Sequence, residues 1–348
     1  MSVELNGSEL SIHDVEAVSR NRENVSVSKD AWQRIETCRT MIQNKIDAHE
    51  VMYGVTTGIG EFSEVVLSPE QVTEFQRFLI YSHAAGIGDA MVEEVVRGAM
   101  VGRINVHCHG NSGGRPVVTE QIVNMLNHGI TPIAAAKGSV GACGDLSPMS
   151  QIAMAMMGEG ESIYDGKRMP SDVALESAGL QPLELEARDG LAIINGSNML
   201  TAMAALSLCD VERWLKYQDI AAAMTLEALN ANMTPYDSRL HELRGFKGSE
   251  VVAANLRQLT KGSEIMAATG KKVQDAYSLR STPQVVGAVR DAAAFAREQV
   301  EIELNGVGDN PVFLPGEDRV ITGANFQGTP IALPMEMVGI GMSMAAVL

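Results

Sequence analysis

Aromatic residues are scarce in this sequence: Phe, Trp and Tyr make up 4% of 348 residues. The interior therefore has to be aliphatic. Ala, Val, Leu and 20 methionines supply it, a mixture that suits packed helices. Positive charge is also short, with 27 Lys and Arg against 43 Asp and Glu and a net charge of −16. That balance argues against non-specific binding to nucleic acid or to anionic membranes, and the cations do not cluster with aromatics. No apolar run approaches the roughly 18 residues of a membrane span. The opening Met-Ser-Val-Glu-Leu-Asn lacks the basic and apolar regions of a signal peptide. The four cysteines, Cys38, Cys108, Cys143 and Cys209, show no paired spacing. A disulfide framework is thereby excluded, and a cytoplasmic protein with free thiols is expected. Low-complexity tracts, internal repeats and Pro/Ser linkers are lacking too.

What is present is a succession of helix signals. A short helix is expected after Ser11. Ser28 reads as the cap of a helix carrying Trp32, Ile35, Cys38, Ile42 and Ile46 near one face. Residues 51–67 read as loop. Ser68-Pro69-Glu70 opens a helix running to about His83, with Val72, Phe75 and Leu79 inward. Further helices are expected at 90–108, 116–128, 145–158, 196–232 and 250–260, from Thr282-Pro283 to about Leu304, and from about Pro334 onward. Two short strands are expected at 312–314 and 319–322. Alternation sufficient for an extensive sheet is lacking. The expected fold is mainly α, with a loop-rich mixed N-terminal region.

Chemistry concentrates first in Gly138-Ser-Val-Gly-Ala142-Cys143-Gly144-Asp145-Leu-Ser-Pro148. Three glycines in seven residues allow the chain to fold back tightly. A tight enough turn brings the amide nitrogen of Gly144 onto the carbonyl carbon of Ala142. Ring closure with loss of water, and loss of the β-substituent of Cys143, would leave an imidazolone with an exocyclic methylidene. The plainer reading of Cys143 is a small buried hydrophobe. His107-Cys108-His109 suggests a metal, but further ligands are not nearby and i,i+2 spacing on a helix points side chains apart, so zinc is rejected. Gly58-x-Gly60 lacks the third glycine of a dinucleotide loop, since Ser63 stands there.

The Ala142-Cys143-Gly144-Asp145-Leu146 segment resembles the self-cyclising loop of the histidine, phenylalanine and tyrosine ammonia-lyases and related aminomutases, in which Ser is usual where Cys143 stands. Tyr53, in Tyr53-Gly-Val-Thr-Thr-Gly-Ile-Gly60, matches that family's catalytic tyrosine. Ser82-His83 matches its selectivity position, and Asn195-Gly196 its active-site asparagine. Gln274-Asp-Ala-Tyr277-Ser-Leu-Arg280 matches a segment that lines the site, with Ala276 where Pro is usual. Asn325-Phe326, in Gly323-Ala-Asn-Phe-Gln-Gly-Thr-Pro330, matches another. Asn305-x-x-x-Asp309-Asn310-Pro311 is a further family-like loop, read as structural. Taken singly, Tyr53 reads better as a loop tyrosine and Arg280 as a surface cation, while His83 reads equally as a core residue and Asn195 also as a turn residue. Their ordered occurrence from 53 to 330 carries the resemblance over essentially the whole chain.

The resemblance implies a long central helical bundle, with 1–200 as an N-terminal region bearing the electrophile loop and 201–348 as an incomplete bundle. It implies a 4-methylidene-imidazol-5-one formed from Ala142, Cys143 and Gly144, with no metal or nucleotide. Tyr53 would be the base, Tyr277 a second phenol and Arg280 the carboxylate grip. Ser82, His83, Asn195, Gln274, Asn325 and Phe326 would bind substrate. The implied reaction removes ammonia from an aromatic L-amino acid. Gln327 and Thr329 stand where histidine lyases usually carry His and Glu, so tyrosine or phenylalanine is expected ahead of histidine. An aromatic 2,3-aminomutase shares all of these residues and stays open, as does a non-catalytic subunit or paralogue. Family members continue well beyond the apolar Gly341-Met-Ser-Met-Ala-Ala-Val-Leu348, adding more bundle and a glutamate. The chain is therefore expected to be a fragment or one half of a two-chain enzyme, in a homotetramer or with a complementary C-terminal chain.

Overall fold

The computed structural model describes residues 2–348. They group into two compact units, Met1–Leu206 with Val300–Thr329, and Ser207–Gln299 with Pro330–Leu348. In chain order the elements of the first stretch are β1 (Ser2–Leu5), α1 (Ile12–Ser19), β2 (Asn24–Val27), α2 (Lys29–Asp47), α3 (Pro69–His83), β3 (Ile87–Ala90), α4 (Glu93–Cys108), α5 (Pro116–Asn127), β4 (Thr131–Pro132), β5 (Ala135–Lys137), α6 (Leu146–Met156), β6 (Glu161–Tyr164), β7 (Lys167–Pro170), α7 (Ser171–Ser177), α8 (Asp189–Ile194) and α9 (Asn198–Ala228). There follow α10 (Ser238–Glu242), α11 (Lys247–Leu259), α12 (Glu264–Ala267), α13 (Tyr277–Arg280), α14 (Thr282–Leu304), β8 (Val312–Leu314), β9 (Arg319–Ile321) and α15 (Thr329–Val347).

The fold is mainly α, as expected. Ser11 and Asp14 make a reciprocal capping box on α1, and Ser28 caps α2 through the Ala31 amide. Helix α4 is the core of the first unit: every residue from Val95 to Cys108 is buried, so its Arg97, Arg103 and His107 must find partners inside. Packed on α4 are α1, α2 and α5, while α6 lies against α3 and α8. A cluster of Cys38, Ile42, Met52, Val55, Val72, Ala187 and Phe313 pins the start of the 51–67 loop to the core, with Tyr53 between two of its anchors.

The strands form four small sheets among the described residues: parallel β1–β2, antiparallel β3–β5, three-stranded β4–β6–β7 and the β8–β9 hairpin. Apart from the last of these they were not foreseen, because runs of two to four residues leave too little alternation to read. Helices α7, α8, α10, α12 and α13 are likewise too short for a periodic signal.

In the second unit the buried Asp219 of α9 accepts from Arg290 of α14 at 2.5 Å and from Asn255 of α11 at 2.6 Å, holding three helices together. Asp291 Oδ1 accepts from the Gly248 amide in the first turn of α11 at 2.7 Å. Helix α15 corrects the expectation about apolar runs. It starts at Thr329, ahead of the expected Pro334, which lies inside it, and its 19 residues are long and apolar enough by length and composition to cross a membrane. The reading by runs missed this because Glu336 and scattered glycines and prolines interrupt the stretch without making it polar overall.

Candidate active site

The loop after β5 turns through left-handed backbone at Gly141, Cys143 and Gly144, with φ of +72°, +59° and +80°. For Cys143 that conformation is uncommon and costs energy, so the surroundings must hold it. Those surroundings are explicit. Gly144 pairs with Gly196, and a Cβ on Gly144 would lie 2.4 Å from the Gly196 carbonyl carbon and oxygen. The Asp145 amide donates to Gly196 O at 2.8 Å. Asp145 Oδ1 accepts from Ser139 Oγ at 2.8 Å and Oδ2 from the Leu200 amide at 2.8 Å. One carboxylate thus ties the start of the loop to the first turn of α9. Burial pushes the Asp145 carboxyl upward, against the lowering hydrogen bonds from Leu200, Ser139 and Met199. The loop runs directly into the N-terminus of α6 and is bonded to that of α9, where the helix field favours negative charge.

Cys143 is half-buried, and desolvation raises its thiol above the ordinary range, so it is a neutral thiol at neutral pH. Asn195 ends α8. Its Nδ2 donates to Asn310 O at 2.7 Å, whereas its Oδ1 is buried with no partner. A buried acceptor left unsatisfied is costly and calls for an occupant. The 323–328 segment is anchored at two points: the Gly323 amide donates to Asn310 Oδ1 at 2.7 Å, and Ser197 Oγ donates to Phe326 O at 2.6 Å. Phe326 is half-buried and Asn325 exposed. The 138–148 loop, Asn195 and Asn325–Phe326 are therefore joined through the start of α9.

Tyr53 and the Ser82–His83 pair sit on their own supports and make no hydrogen bond to that loop among the described residues. The half-buried Tyr53 accepts from the Gly60 amide at 3.3 Å, within a loop pinned by Thr56, whose hydroxyl donates to Glu50 O and accepts from the Met52 amide, both at 2.8 Å. Ser82 and His83 end α3. The Ser82 hydroxyl lies 3.0 Å from His83 Nδ1, and both contact Leu79 O.

Gln274, Tyr277 and Arg280 belong to the second unit. They line a cavity of about 680 Å³ there, with Asp275 and Gln284. The Arg280 guanidinium lies 5.2 Å from the centre of the Tyr277 ring. Arg280 Nε and Gln284 Oε1 are both buried without partners. Ala276, which departs from the family's usual proline, has φ −56°, the value a proline ring would impose.

Arg103 and Arg188, passed over in the sequence, lie beneath Asn195 with Asp309, which the sequence marked only as part of a structural loop. Arg103 Nη1 donates to Asn195 O at 2.7 Å, and Arg103 and Arg188 share the Asp309 carboxylate at 2.6 and 2.8 Å. A signal existed: Arg97, Arg103 and Asn105 interrupt a helical run from Val95 to Val106 whose other residues are apolar or glycine. His107, rejected as a ligand, lies 2.9 Å from Thr119 Oγ1 through Nδ1 and 2.9 Å from Ala192 O through Nε2. Burial pushes its ring down to about 3.

Aromatic amino acid lyases, as a family, match residues 10–348. The chain belongs to that family of carbon–nitrogen lyases. It is 42% identical to the histidine ammonia-lyase of Alkaliphilus metalliredigens over 342 residues, 98% of this chain and 68% of that protein. Its fold superposes on the ergothionase of Treponema denticola, an ergothioneine-degrading enzyme, with a TM-score of 0.95 at 29% identity, covering 99% of this chain and 70% of that one. Against the tyrosine aminomutase of Streptomyces globisporus the TM-score is 0.94 at 33% identity, covering 100% and 69%. Relatives 39–42% identical to the chain are named histidine ammonia-lyases, so the expected preference for tyrosine or phenylalanine is not supported. That preference rested on Gln327 and Thr329, two exposed residues, and exposed positions constrain a substrate pocket weakly.

Proposed function

We propose that this lyase eliminates ammonia from L-histidine, leaving the α,β-unsaturated imidazole acid, at an electrophile built from Ala142, Cys143 and Gly144. The observation that carries the reading is the left-handed Cys143–Gly144 turn pressed onto Gly196, beside the buried, unpartnered Asn195 Oδ1. Such a turn suits cyclisation, and such an oxygen suits an amine or a ring group as occupant, so the residues fit the methylidene-imidazolone of the family. That group supplies an electrophilic carbon that no ordinary side chain offers. Arg280 binds the substrate carboxylate through a two-pronged charged hydrogen bond, with Gln274 and Tyr277 beside it. Tyr53 takes the β-proton as general base. Asn195 receives the amine, Ser82 and His83 face the imidazole, and Asn325 and Phe326 close over the substrate. Histidine as substrate is supported by the names of the relatives near 40% identity.

The reading places the enzyme in the cytoplasm as a homotetramer, or with a complementary C-terminal chain. The wide exposure of Val140 (88%), Tyr277 (71%) and Val273 (100%) supports such covering. The test is an ultraviolet assay of the assembled protein with histidine, tyrosine and phenylalanine in turn. Urocanate alone should rise; no product from any of the three would overturn the proposal. The likeness to the tyrosine aminomutase keeps a second reading, return of ammonia to the β-carbon, which chromatography would reveal as a β-amino acid. An inactive paralogue would show the unmodified encoded mass.

A further inference from the structure

We infer that Arg103, Asp309 and Arg188 form a positioning unit that holds the electrophile loop in its ring-closing geometry; this rests on the proposed role of Ala142–Gly144. All three side chains are fully buried, and two guanidiniums share one carboxylate. The cluster therefore keeps a net positive charge inside the protein. Burying it costs more than packing hydrophobic residues there, so stability does not account for it.

Its contacts do. Arg103 Nη1 donates to Asn195 O at 2.7 Å and to Gly308 O at 3.1 Å. Arg188 donates from Nε to Ser112 O at 2.7 Å and from Nη1 to Asn310 O at 3.2 Å. Asn310 O in turn accepts from Asn195 Nδ2 at 2.7 Å, so the two arginines fix Asn195 from both its backbone and its side chain. Gly196 lies on the same floor: a Cβ there would meet Gly308 O at 2.6 Å and Arg103 Nη1 at 2.9 Å. Its other side carries Gly144, whose Cβ would meet the Gly196 carbonyl at 2.4 Å, and its carbonyl receives the Asp145 amide. Gly144 is thus pressed from below by a stack that ends on Arg103 and Asp309.

Ring closure forms the bond from Gly144 N to the Ala142 carbonyl carbon. The Ala142 oxygen leaves as water with the Gly144 and Cys143 amide hydrogens. Cys143 Sγ leaves as hydrogen sulfide with its own hydrogen and the Cα hydrogen. No oxidant or reductant is needed. The first step depends on holding nitrogen against carbon, and sub-ångström displacement of such pairs changes rates steeply.

The test compares the intact mass and thermal midpoint of the wild type with those of three variants, after refolding for a fixed time. Arg103→Lys keeps the charge but loses the fork; Asp309→Asn keeps the shape but loses the charge. Arg290→Lys perturbs the buried pair with Asp219 and serves as the structural control. The wild type should be lighter than the encoded chain by one water and one hydrogen sulfide. Arg103→Lys and Asp309→Asn should fold yet close about tenfold or more slowly, a loss in the range expected for disturbed reactant alignment. Arg290→Lys should lower the midpoint and close normally. If Arg103→Lys does not fold, Asp309→Asn decides alone. Closure at the control's rate in the folded cluster variants would overturn the inference. An unmodified wild-type mass would instead overturn the electrophile reading, and this inference with it.

Discussion

Gly144 has no room for a methyl group. Its φ is +80°, and a Cβ would sit 2.4 Å from the Gly196 carbonyl. Gly144→Ala should therefore cost about 1–3 kcal/mol from the backbone conformation alone, with the overlap added. Urea unfolding would register the loss, and mass spectrometry should find the unmodified chain. Cys143→Ser tests the opposite limb. It leaves the turn intact and exchanges thiol for hydroxyl, so the ring should still form, with a mass two waters below the encoded value. A chain that closes only with cysteine would contradict the view that geometry drives closure. Arg280 makes a third residue-scale test. Arg280→Lys removes the second prong of the proposed carboxylate grip, and a charged hydrogen bond contributes about 1.5–3 kcal/mol, so KM should rise roughly 10- to 100-fold with a smaller change in kcat. Arg280 was legible because its segment keeps Gln, Tyr and Arg at fixed offsets. Arg103 was not, and Asp309 read only as part of a structural loop, because the partners that give Arg103 its meaning, Asn195 O and the Asp309 carboxylate, lie about 90 and 200 positions away.

At the scale of elements, α4 shows what burial does to titration. His107 is enclosed beside Arg103, and its ring is pushed down to about 3 by desolvation first and Arg103 second. In the unfolded chain a histidine titrates at about 6.5. Between these values the unfolded state binds the extra proton, so stability is complete above about pH 6.5 and falls as pH drops toward 3. His107 alone should remove on the order of 2 kcal/mol by pH 5. Urea titrations at pH 7 and pH 5 would show this, and His107→Gln should lose that much less between the two. An equal loss in both proteins would rule out His107 as the cause. The long helices were readable because each carries a cap and a repeating apolar face: Ser28, Ser68-Pro69 and Thr282-Pro283 mark starts that the structure places within a residue. Helix α8 has six residues and no side-chain cap, yet it delivers Asn195 to the loop. Tertiary contacts, not local signals, made that element, which is why sequence periodicity passed over it.

For the whole molecule, the exposed apolar face of α15 calls for a cover. Its exposed apolar residues are Leu333, Met337, Ile340, Met344 and Val347, from 43% to 86% exposed. Their spacing of four, three, four and three residues is the seam of one helix packed along another. A solitary apolar residue on a surface needs no explanation, but an unbroken stripe over four turns does. In the proposed assembly this stripe lies against helices of another copy or of a complementary chain. A double substitution, Ile340→Glu with Met344→Glu, places two charges in the seam without touching the core residues Ile331, Val338 and Ala345. Light scattering should then show the assembled mass falling toward that of a single chain, with helix content by circular dichroism unchanged. Urocanate production should fall with the assembled fraction. If the wild type instead sediments with neutral lipid vesicles and the double variant does not, the stripe serves a bilayer and the proposed assembly is wrong. Unchanged mass and activity in the variant would show that the stripe is not an interface.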